Sequence, residues 1–68
     1  MNYAEQEVWL GAQKRAECLS KHDLTTLTIG SLAEKVARSY SDRKDQDLAF
    51  FAAVPIVEER KKQIGEKG

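Results

Sequence analysis

One cysteine, one proline, one histidine and one tryptophan stand in a chain of 68 residues, and each scarcity closes off a class of protein. A lone Cys18 excludes an intrachain disulfide framework. One Cys and one His cannot complete a closed four-ligand zinc site, so no metal or other cofactor is expected. The segment "IGSLAEK" has a single glycine and no Gly-Lys-Ser/Thr, which rules out a phosphate loop. His22 and Asp23 are neighbours in a polar stretch, and no oxyanion site or third orienting group accompanies them. A Cys18–His22 pair at i, i+4 would require the first helix to continue that far. The sequence therefore reads as non-enzymatic.

Charge of one sign is also missing. Eleven basic and eleven acidic residues cancel, and they cancel locally: four acids and three bases over 1–23, four of each over 24–57, three acids and four bases over 58–68. No segment offers the one-signed field that a phosphate backbone attracts, which weighs against nucleic acid as a partner. No window nears the ~20 apolar residues of a spanning helix. "MNYAEQEVWL" has neither a basic leader region nor a small-residue cleavage site. These features lead to the expectation of a cytoplasmic protein away from membranes.

What is present is helical periodicity. Trp9, Ala12, Ala16 and Leu19 are spaced as one stripe of a helix over 2–21, with Asn2 and Glu5 as a capping box. Gly11 inside it costs about 1 kcal/mol relative to Ala. Cys18 falls mid-pattern and is read as buried or half-buried. "SKHDLTTLT" reads as a connector of about six to eight residues, since Ser, Asp and Thr compete for backbone hydrogen bonds. A second helix starts near Thr28 or Ser31, with Ile29, Leu32, Ala33, Val36, Ala37 and Tyr40 on one face and a Glu34–Arg38 pair on the other. Ser41 or Asp42 then caps a third helix.

That third helix carries "LAFFAAVPIV", residues 48–57, ten in a row without charge. Pro55 predicts a helix to about Ala53, a bend, and a short helix to about Ile64. Leu48 and Phe51 are expected to face the core, with Ile56 as a further candidate. Phe50, Val54 and Val57 are then left outward as an association surface. If the helix instead lies between the other two, both of its sides become internal. The mixed-charge "EERKKQ" reads as a solvated face with Glu58 and Lys62 paired.

The expected fold is all-α: a single domain over 1–64 of three helices with a Pro-bent third element, and a frayed tail over 65–68. A chain this short buries only about 60% of its unfolded surface and usually needs a staple. With disulfide and metal gone, a homodimer is expected. The leading functional expectation is an inhibitor or adaptor of a larger protein, of the class of small accessory proteins that phages and mobile elements encode. Its interface would be Phe50, Phe51, Val54, Ile56, Val57 and Trp9, oriented by Arg43 and Lys44. The alternative is a small DNA-binding regulator with a helix-turn-helix-like segment over 28–54. Asp42, Asp45 and Asp47 beside Arg43 and Lys44 weigh against it.

Overall fold

A computed structural model describes residues 2–65. Four helices follow one another among the described residues: α1 Tyr3–Glu17, α2 Lys21–Thr26, α3 Ile29–Ala37 and α4 Arg43–Gly65. The fold is all-α with one helix more than expected. The predicted capping box forms, with Glu5 N–H donating to Asn2 Oδ1 at 2.8 Å and Asn2 N–H to Glu5 Oε1 at 3.1 Å. Helix α1 stops at Glu17 rather than continuing to Lys21. Ser20 turns extended there and caps α2, its hydroxyl accepting from Asp23 N–H at 3.1 Å.

The expected connector is therefore mostly helix. The Thr25 and Thr26 hydroxyls donate to carbonyls of Lys21 and His22 and stay inside the turn they were expected to break. Thr28 caps α3, accepting from Ser31 N–H at 3.1 Å. The predicted stripe of α3 is borne out, with Leu32, Ala33, Val36 and Ala37 buried and Ile29 half-buried against them. Tyr40 lies beyond the end of that helix. Asp42 starts α4, its Oδ1 accepting from Lys44 N–H at 2.9 Å.

Helix α4 is one 23-residue element with Pro55 inside it, so the expected break after Ala53 is absent. Pro55 is exposed, and the bond it cannot make is the one to the Phe51 carbonyl, four residues back on the solvent side. Water can satisfy that carbonyl, which is why the helix continues. Of the expected tail, Gly65 belongs to α4 and 66–68 lie outside the described residues.

Most interhelical contacts join α1 and α3 to α4, which is thus the central element. Tyr40 Oη donates to Val8 O at 3.5 Å and Gln46 Nε2 to Tyr40 O at 2.7 Å, which ties the first half of α1 to the start of α4. Arg60 Nη1 donates to Ala16 O at 3.0 Å and Leu19 O at 2.7 Å, tying the two C-terminal halves together. The helices α1 and α4 therefore run in the same direction, and α3 returns against them.

Candidate protein-interaction surface

Seven of the eleven buried hydrophobic residues are alanine: Ala12, Ala16, Ala33, Ala37, Ala49, Ala52 and Ala53. Alanine lets helix backbones approach closely and leaves little room between them, so larger side chains go elsewhere. Successive residues turn by about 100° around a helix. Phe51 is two positions from both Ala49 and Ala53, which puts it nearly opposite each. Burying the two alanines against α1 and α3 turns Phe51 outward, and it is 66% exposed.

This corrects the orientation read from the sequence. Phe51, expected in the core, is the exposed phenylalanine. Val57, expected outward and in the interface, is fully buried because it continues the Ala49–Ala53 row one turn on. Phe50, Val54, Ile56 and Trp9 are half-buried and packed against the core. The rings of Phe50 and Phe51 meet edge-to-face at 6.2 Å between centroids. Arg43 and Lys44 are exposed in the first turn of α4. Leu48 is half-buried but does not pack on the buried cluster.

A second exposed apolar residue, Leu10, stands on α1. Glu17 lines a groove with Ile56, Glu59, Arg60 and Gln63, so this flank of α1 borders α4. Leu10, 51% exposed, stands seven residues before Glu17 on the same flank. Seven residues is about 10.5 Å of helix, and the same distance back from Glu59 along α4 reaches Ala52. Leu10 is thus level with the segment holding Leu48, Phe51 and Pro55. Leu10 was missed because its neighbours Glu7 and Lys14 read as a solvated face, but an apolar residue on that face was the available signal.

Polar groups at the lower end of the domain are structural. Lys61 Nζ donates to Leu24 O at 2.7 Å near the end of α2, as Arg60 does at the end of α1. Both place a cation where helix carbonyls lack partners, so "EERKKQ" is only partly a solvated face. The expected Glu58–Lys62 pair is not among the ion pairs of the described residues, whereas Glu34–Arg38 forms at 2.9 Å. Cys18 is exposed rather than buried, since α1 ends beside it. The same end separates Cys18 from His22, the second residue of α2.

Among the described residues, no three His, Cys, Asp or Glu side chains converge as a metal site, and no helix is long and apolar enough to cross a membrane. No family model matches the sequence, and neither a curated protein nor a solved structure matches it.

Proposed function

We propose that the chain is a non-enzymatic interaction protein, an inhibitor or adaptor, that acts by burying the outer face of α4 against a larger protein. The observation that carries this reading is the inverted distribution of side-chain size. Alanines fill the interior, while Phe51 at 66% exposure and Leu10 at 51% stand outside it. Burying one such side chain is worth about 1.5–3 kcal/mol, and the folded domain leaves that gain unused. The same surface serves self-association as a homodimer, the staple a chain of this size lacks internally. Arg43 and Lys44, exposed at one end of the face, orient the partner by charge. DNA reading draws less support, because α4 lies between two helices and its first turns carry Asp42, Asp45 and Asp47.

The test is capture of a partner by the tagged chain from nuclease-treated lysate, with Phe51→Glu run in parallel. Phe51 is the better probe than Phe50, whose packing on the core would confuse binding with folding. The expected result is a stoichiometric protein retained by the wild type and lost by the variant. Equal retention by both, or material recovered only without nuclease and with steep salt dependence, would overturn the reading.

A further inference from the structure

Along the exposed side of α4 the residues run Lys44, Asp47, Phe51, Pro55, Glu58 and Lys62, all of them exposed. None of the four charged members belongs to an ion pair among the described residues. We infer that in the free protein this face is covered by a second copy of the chain, α4 against α4 and antiparallel, across a two-fold axis at Phe51. The inference rests on the reading of this face as an interaction surface and adds the occupant and the register.

The charge order selects that register. A two-fold axis at Phe51 sets residue 51−n opposite residue 51+n of the other copy. Lys44 and Glu58 each stand seven residues from Phe51, about 10.5 Å along the helix. Lys44 of each copy then meets Glu58 of the other, giving two opposite-charge contacts for one symmetry operation. Phe51 packs on Phe51 at the centre. Leu48 and Pro55 lie on the same flank of the face and meet across the seam.

Other registers fail on one count or another. An axis at Ala53 sets Lys44 on Lys62 and brings Asp47 within one residue of Glu58, like charge against like. An axis near Val54 and Pro55 satisfies Asp47 with Lys62 but drives Phe51 onto Glu58. Parallel pairing sets every charge against its like. A stable interface takes roughly 800 Å² from each partner, about a sixth of this chain's 4727 Å². Helix α4, 23 residues long, spans about 34 Å, and Leu10 of α1 extends the seam on the Leu48–Pro55 flank. Because one surface serves both, a larger partner binds by displacing the second copy.

Sedimentation equilibrium of the full chain near 0.1 M salt, with Lys44→Glu, Glu58→Lys and the double reversal, tests the arrangement. Both positions are exposed, and far-UV circular dichroism checks that the variants stay helical. The expected result is a wild-type dimer, association weakened about 10-fold or more by each single reversal, and recovery in the double variant. A Phe51→Cys protein in a Cys18→Ser background should form a disulfide-linked dimer on mild oxidation. A dimer indifferent to both single reversals would overturn the register while leaving self-association in place. A monomeric wild type would overturn the second copy as occupant. Partner capture by the wild type and its loss in Phe51→Glu would still stand or fall separately.

Discussion

The Arg60 guanidinium donates to the Leu19 carbonyl at 2.7 Å across a separation of 41 residues, closing the end of α1 with a side chain from α4. The same nitrogen reaches Ala16 O at 3.0 Å. Hydrogen bonds to charged groups contribute about 1.5–3 kcal/mol. Arg60→Ala is expected to lower stability by about that amount, and Arg60→Lys, with one point donor in place of a fork, by less. Urea denaturation followed by circular dichroism would measure both; an unchanged midpoint for Arg60→Ala would show that the clamp contributes nothing.

Gly11 sits under the Tyr40 hydroxyl. A Cβ built there would lie 2.9 Å from Tyr40 Oη, while the ring also carries the Arg15 guanidinium 5.6 Å from its centroid. Replacing glycine by alanine in a helix ordinarily gains about 1 kcal/mol. In this chain Gly11→Ala is expected to gain little or to destabilise. In a Tyr40→Phe background, where the hydroxyl is gone, the usual gain of about 1 kcal/mol should return. A double-mutant cycle with no coupling between the two positions would contradict the contact.

Asp23 pairs with Lys35 at 2.6 Å, joining α2 to α3. The hydrogen bond from Lys35 holds the Asp23 carboxyl below its ordinary value of 3.8, outweighing partial desolvation. Because the folded-state value is the lower one, the pair stabilises the fold fully above the unfolded value. That contribution is lost as pH falls through the folded value. The stability difference between wild type and Asp23→Asn should therefore be present at neutral pH and shrink below about pH 4. A difference that persists undiminished into strong acid would argue against it.

Pro55 occupies the solvent side of a continuous helix, where it is exposed and removes one backbone bond. Pro in a helix interior is about 3 kcal/mol less favourable than Ala. Pro55→Ala is expected to stabilise the domain by about 1–3 kcal/mol in thermal or chemical denaturation. If self-association weakens in the same variant, the proline is there for the seam, where it would meet Leu48 of the second copy. A destabilised Pro55→Ala protein would mean that the helix depends on the proline's geometry.

The helical signals that were legible were local ones. Asn2 with Glu5, Thr28 before Ile29, and the row Leu32, Ala33, Val36, Ala37 each operate within a span of about four residues, the reach of a cap or a helical turn. The signature of α2 was equally local, with Ser20 three residues before Asp23. Thr25 and Thr26 obscured it, because their hydroxyls were expected to compete with the helix they in fact join.

Residues 48–57 are a different case. Their composition made a helix readable, yet a stretch that is apolar on every side contains no instruction about which side faces in. The tertiary structure decided that by backbone approach: α1 and α3 close onto α4 where Ala49, Ala52 and Ala53 permit it, which buries Val57 and expels Phe51. The destinations of Arg60 and Lys61 were decided the same way, since the carbonyls they meet lie 41 and 37 residues away in the chain. By itself the sequence determined an all-α chain with its caps and its apolar residues. Only packing of one helix against two others determined which of those residues became core and which became surface, because side-chain volume is compared across helices and not along them.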